Sequence, residues 1–248
     1  MKIIFFAISL MISQLFSREN FTLSNFGDQI YLLNGFDKEL KIFDMNLTLQ
    51  KKISLKNISQ SGFFDFFIRY DPFRSYIVDS ESGNIFLLDE NLALKKRLEI
   101  EKSHGIRIYR KVFPIDYNSL LIASYEKDKI YTLENNFLKE RLSCDDGFID
   151  IYADRNGLYI LFEKMISVYS PEGIFKNNII IDKTKNYESI YPTISGIFIK
   201  SPNEVTEFSF SSKKFKHLKY DGSSVFTAID SLFYYFSEDS LKLKAIKL

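Results

Sequence analysis

Leu49-Gln50-Lys51-Lys52-Ile53-Ser54-Leu55 recurs down the chain. Its echoes are Leu94-Lys95-Lys96-Arg97-Leu98-Glu99-Ile100, Leu138-Lys139-Glu140-Arg141-Leu142-Ser143-Cys144 and Phe175-Lys176-Asn177-Asn178-Ile179-Ile180-Ile181, with a shortened copy at Phe215-Lys216-His217-Leu218-Lys219-Tyr220. Successive copies begin 45, 44, 37 and 40 residues apart. An independent marker keeps the same rhythm. Asn25, Asp71, Asp116, Asp154, Ser195 and Asp230 each stand just before an apolar run, at steps of 46, 45, 38, 41 and 35. Two signals sharing one period define a repeating structural unit.

Each unit reads as four strands. The first is rich in aromatics (Phe63 to Tyr70, Phe148 to Ala153); a turn carrying the Asp follows, then a continuous apolar run such as Leu120 to Ala123, Leu158 to Phe162 or Gly196 to Ile199. A third strand (Ile85 to Leu88, Ile130 to Leu133) turns through Asn46, Asn91, Asn136 or Gly173 into the lysine-bearing fourth. Continuous apolar runs mark strands covered on both faces, whereas the alternating fourth strand is half exposed. Asn and Gly suit left-handed turn positions, and an Asp side chain caps its own turn. Helical periodicity is absent, so the expected fold class is all-β.

Four short strands in each unit of roughly 40 residues, repeated about six times, is the signature of a β-propeller. In plan, residues 19 to 248 resemble six-bladed propellers of the NHL and TolB-like class. The resemblance is one of architecture: there is no Trp-Asp dipeptide, no Gly-Gly kelch pair and no Tyr-Trp-Thr-Asp run, so no family's functional residues carry over. It implies a central channel lined by inner strands, and two loop-bearing faces. An outer-membrane barrel is the competing all-β fold. Barrel strands alternate apolar-out and polar-in over about ten residues, which Ile85-Phe86-Leu87-Leu88 and Leu158-Tyr159-Ile160-Leu161-Phe162 do not do.

The ends of the ring are readable as well. Phe21-Thr22-Leu23-Ser24-Asn25 matches the inner strand and turn of the other units, and Leu241-Lys242-Leu243 resembles the third strand Leu40-Lys41-Ile42. The last blade is therefore expected to have three strands. Its edge would suit a partner's strand, or be guarded by Lys242, Lys244 and Lys247.

Met1-Lys2 followed by the apolar run Ile3 to Phe16 has the basic start and apolar middle of a secretory signal. The expected division is a signal segment at 1–17, cleaved or kept as an anchor, and a single domain over 19–248. Export to the periplasm or the cell exterior follows, with membrane association expected only through an uncleaved N-terminal segment. Lys+Arg 33 against Asp+Glu 32 leaves no basic surplus, so nucleic acid is excluded as a partner. Cys144 is the only cysteine, which rules out an intrachain disulfide and a Cys-x-x-Cys site. His104 and His217 lack partners at ligand spacing, and there is no Gly-x-Ser-x-Gly elbow, P-loop or dinucleotide fingerprint. No metal, no cofactor and no catalytic residue is assigned.

Polar residues on the inner strands are the ligand-binding candidates: Asp65 and Arg69, Arg107 and Arg110, Asp150 and Tyr152, Tyr187 and Glu188. A carboxylate beside an Arg could do acid–base work or hold a small ligand; such residues also line any water-filled propeller channel. Asp71, Asp116, Asp154 and Asp230 recur in most units and belong to turn formation. Loops between second and third strands hold Asp37, Asp79, Glu81, Glu126, Asp128 and Glu163 against Lys38, Lys127 and Lys164, predicting an acidic face with Glu81, Glu126 and Glu163 as partner-binding candidates. Lysines on the fourth strands make the perimeter basic. The leading reading is an exported non-catalytic propeller that serves as a scaffold for a protein or ligand in the cell envelope. The alternatives are a propeller hydrolase or lyase using channel carboxylates and arginines, and a membrane barrel.

Overall fold

The computed structural model describes residues 21–59, 62–202, 204–220, 225–229, 232–237 and 242–247. The expected signal segment at 1–17, together with Asp230, Glu238, Asp239 and Leu241, lies outside the described residues. Six sheets are present, each an antiparallel meander in chain order. The first holds β1 (Phe21–Phe26), β2 (Gln29–Asn34), β3 (Glu39–Asp44) and β4 (Leu49–Ser54). The second holds β5 (Phe66–Asp71), β6 (Arg74–Asp79), β7 (Asn84–Leu88) and β8 (Leu94–Glu99). The third comprises β9 (Ile108–Pro114), β10 (Ser119–Ser124), β11 (Lys129–Glu134) and β12 (Phe137–Ser143). The fourth comprises β13 (Asp150–Asp154), β14 (Gly157–Leu161), β15 (Met165–Tyr169) and β16 (Phe175–Ile180). β17 (Ser189–Pro192), β18 (Gly196–Ser201), β19 (Glu204–Ser209) and β20 (Phe215–Lys219) make the fifth, and β21 (Phe226–Ile229), β22 (Leu232–Ser237) and β23 (Lys242–Lys247) the sixth.

The first strand of each sheet touches that of the next, and β1 meets β21 to complete the ring. This is a six-bladed β-propeller whose last blade has three described strands. Separate sheets exclude the single closed barrel. β6, β10, β14 and β18 are buried at every position, as continuous apolar runs demand, while the fourth strands are largely exposed. Within each of the first four blades one bond recurs. The residue just after a fourth strand donates its N–H to the loop between second and third strands: Leu55 to Lys38 O at 2.7 Å, Ile100 to Gly83 O at 2.9 Å, Cys144 to Asp128 O at 2.6 Å and Ile181 to Lys164 O at 3.0 Å. All four side chains are buried in the seam.

The turns follow expectation in part. Asp71, Asp116 and Asp154 accept the N–H two residues on, from Phe73 at 2.8 Å, Asn118 at 2.7 Å and Asn156 at 2.8 Å. Asn25 and Ser195 do not share that role: Asn25 lies within β1, and the Ser195 hydroxyl meets Thr193 Oγ1 at 3.1 Å. Asn136 and Gly173 take the left-handed position at φ 68° and 86°, but in the first two blades Leu47 (63°) and Leu92 (62°) occupy it instead of Asn46 and Asn91. The Asp44 carboxylate accepts the N–H groups of both Asn46 and Thr48, and that of Asp89 those of Asn91 and Ala93. Each Asp thereby fixes a turn whose left-handed site lies one residue later. Burial of Leu92 offsets part of the steric cost of about 1 kcal/mol that a branched residue bears there. One short helix, α1 (Ile100–His104), corrects the expectation of none. It is too short to show a period and stops at Gly105, whose φ is 68°.

Burial, with help from the Asp128 and Asp145 charges, pushes the Cys144 thiol up to about 11. Thiolate is thus scarce at pH 8. Alkylation by iodoacetamide should be about a hundredfold slower in the native protein than in urea, followed by mass spectrometry.

Candidate functional site

Where the inner strands converge lies a cavity of about 1120 Å³. Asp65, Arg69, Asp150 and Tyr152 all line it, as does Glu188. Arg107 does not: it is exposed, with its guanidinium 4.3 Å from the Tyr125 ring centre. Tyr187 is buried in the seam between fourth and fifth blades. Lys111, unremarked in the sequence, lines the cavity instead. A bulge between Ile122 and Ser124 shifts the pairing of β9, and Arg107 stands one residue before that strand, outside the stretch whose alternation the sheet fixes.

Lys111 Nζ donates to both Asp150 oxygens at 2.7 Å, and the Ile190 N–H reaches Oδ2 at 3.0 Å. Asp150, only 1% exposed, thus joins the third, fourth and fifth blades. Asp65 accepts the Ser80 N–H at 2.6 Å and the Ser80 hydroxyl at 2.7 Å, bracing its own blade. Glu188 pairs with the buried Lys200. At the other mouth Arg74 bonds Asp71 at 2.6 Å, donates to Tyr117 O at 2.6 Å and lies 3.7 Å from the centre of the Tyr117 ring. Every one of these carboxylates is occupied by a partner in its own blade or a neighbouring one.

Above these pairs runs an aromatic belt. Ring centres are separated by 5.8 Å for Phe66–Phe113, 5.1 Å for Phe113–Tyr152, 4.7 Å for Tyr152–Tyr191 and 6.1 Å for Tyr191–Phe226. Burial drives the Tyr152 phenol well above its ordinary value and raises that of Tyr191 as well. Both therefore act as neutral hydrogen-bonding groups at physiological pH. The Tyr191 hydroxyl donates to Asn25 Oδ1, which also accepts from Thr227 Oγ1 at 2.9 Å. Asn25, in step with the turn residues in sequence, is a channel residue that links first, fifth and sixth blades.

On the face where inner strands begin, Glu81, Glu126 and Glu163 are exposed at the tips of second-to-third strand loops. Two of the lysines expected to oppose them turn inward. Lys38 donates to Ser59 O at 2.8 Å, and Lys127 to Ile149 O at 3.2 Å while lying 4.8 Å from the Tyr109 ring centre. Lys164 remains exposed.

No protein-family model matches the sequence. No curated protein matches it either. In fold the chain is similar to virginiamycin B lyase from Staphylococcus aureus, with a TM-score of 0.61 at 10% identity over 91% of this chain and 79% of that one. A putative exported protein from Bacteroides fragilis gives 0.64 at 7% identity, covering 88% of this chain and 79% of that one. PorZ, an essential surface component of the type-IX secretion system of Porphyromonas gingivalis, gives 0.57 at 12% identity, over 93% of this chain but 37% of that one. At these identities the likeness establishes the propeller fold alone.

Replacing Asp150 by Asn should strand Lys111 without its anion and lower stability by about 3 kcal/mol. Urea unfolding measures this. Combining it with Lys111→Met should recover part of the loss, the mark of direct coupling.

Proposed function

We propose that this protein is an exported, non-catalytic propeller that serves as a binding scaffold in the cell envelope and takes a basic partner on its acidic loop face. One contrast carries the reading. The channel carboxylates are bound to cations or backbone N–H groups, whereas Glu81, Glu126 and Glu163 project from loop tips without an ion pair among the described residues. Rigid discs with variable loops suit recognition. Clustered acids on one face raise the encounter rate with a positively charged surface.

The lyase alternative is the weaker one. A histidine-to-alanine variant of the Staphylococcus enzyme, solved with quinupristin, is catalytically inactive. No histidine is among the described residues that line the cavity here. A surface component and an exported protein among the fold's neighbours are in keeping with an envelope location.

Changing Glu81, Glu126 and Glu163 together to Gln should weaken capture from envelope extracts about tenfold, with the melting temperature nearly unchanged, because exposed loop substitutions cost little stability. Raising salt should mimic the variant. Undiminished capture overturns the loop face as the interface. Lost function in an Asp150→Asn protein that is still folded at the assay temperature would favour the enzyme.

A further inference from the structure

The aromatic belt has a gap at the first blade. On β1, Ser24 pairs in register with Tyr31 and so shares its side of the sheet, the side that meets Phe67 of the second blade at 5.1 Å between ring centres. Between Phe21 and Phe26, β1 offers small hydroxyls on that side. Thr22 Oγ1 and Ser24 Oγ are buried with no hydrogen-bond partner, and Ser24 as a whole is 5% exposed. Both residues line the cavity.

Arg69 stands across this seam on β5. Burial raises the Tyr31 phenol, and the neighbouring Arg69 charge works against that rise. The guanidinium hydrogen-bonds the Tyr31 phenol and donates to two backbone oxygens, Asp71 O at 3.3 Å and Pro72 O at 2.5 Å. Among the described residues no carboxylate pairs with it. Two acids that line the same cavity are engaged, Asp71 with Arg74 and Asp154 with the N–H groups of Asn156 and Gly157 at 2.8 and 3.1 Å. Arg155, on the first-to-second strand turn of the fourth blade, lines the same mouth and is exposed, again with no ion pair among the described residues.

A half-buried guanidinium held in place by carbonyls has charge left over and a planar fork matched to a carboxylate. Beside it the cavity wall is apolar and aromatic: Phe26, Phe66, Ile68, Tyr152 and Tyr191. We propose that the channel is a binding site for a small organic carboxylate with an apolar, ring-sized body. The acid head sits on Arg69, with Ser24 turning its hydroxyl toward it and Arg155 drawing it to the mouth. The body lies against the aromatic belt in the space that β1 leaves unfilled. This site is separate from the loop face and stands whether or not that face binds a protein.

Phenylpropionate, its neutral amide and inorganic phosphate serve as probes, titrated by calorimetry against the wild-type chain, Arg69→Gln and Arg155→Gln. The acid should bind saturably, the amide and phosphate about tenfold more weakly or worse, since each lacks one half of the recognition. Arg69→Gln should cost about tenfold or more, and the exposed Arg155→Gln a few-fold. The Glu81, Glu126 and Glu163 triple variant should bind the acid unchanged, which separates this site from the loop face. Equal affinity for acid and amide overturns the proposal, as does phosphate binding as well as the acid, or undiminished binding by a folded Arg69→Gln. If Arg69→Gln does not fold, the acid-to-amide ratio and Arg155→Gln decide.

Discussion

A sheet of four short strands with apolar side chains on both faces has nowhere to hide them except against its neighbours. β6, β10, β14 and β18 are buried from end to end, so every blade needs a blade on each side. The ring is the arrangement in which no blade is left over. The seams then dictate the rest: large rings near the axis where strands converge, lysines on the outer strands where they diverge and meet water.

The same constraint explains the polar residues of the channel. Inner strands approach one another closely, so charged groups are matched, some within a blade and some across a seam. Asp150 binds blades three, four and five through Lys111 and the Ile190 N–H. Arg74 reaches from the second blade to Tyr117 of the third. A carboxylate next to a cation resembles catalytic equipment in a sequence, yet in a ring of blades it is more simply a joint. Arg69 departs from that pattern, which is why it invites a ligand.

How much of this was legible depends on whether the signal repeats. The period, the strand order, the Asp turns, the slot shared by Leu55, Ile100, Cys144 and Ile181, and the three-stranded last blade all follow from comparing one unit with another. What escaped was unique to one blade. Lys111 sits on a strand whose register is shifted by a bulge, and Arg107 stands one residue before that strand. Asn25 fell in step with the turn residues, but its amide answers to side chains 166 and 202 positions away, which no local pattern reveals. Leu47 and Leu92 hold left-handed turns because Asp44 and Asp89 impose them, against the preference of the residue itself.

Those two long-range bonds to Asn25 bear on how the chain comes to be folded. The first blade cannot complete its burial with anything made nearby: Leu23, Ile30 and Leu32 are covered by Tyr234 of the sixth blade. On a ribosome, that apolar face emerges before the intervening blades and stays uncovered until the sixth is made. Contacts so distant along the chain form slowly, and an exposed apolar sheet is the kind of surface on which nascent chains associate with one another. The architecture that makes a rigid disc therefore makes its unfinished form dependent on protection during synthesis.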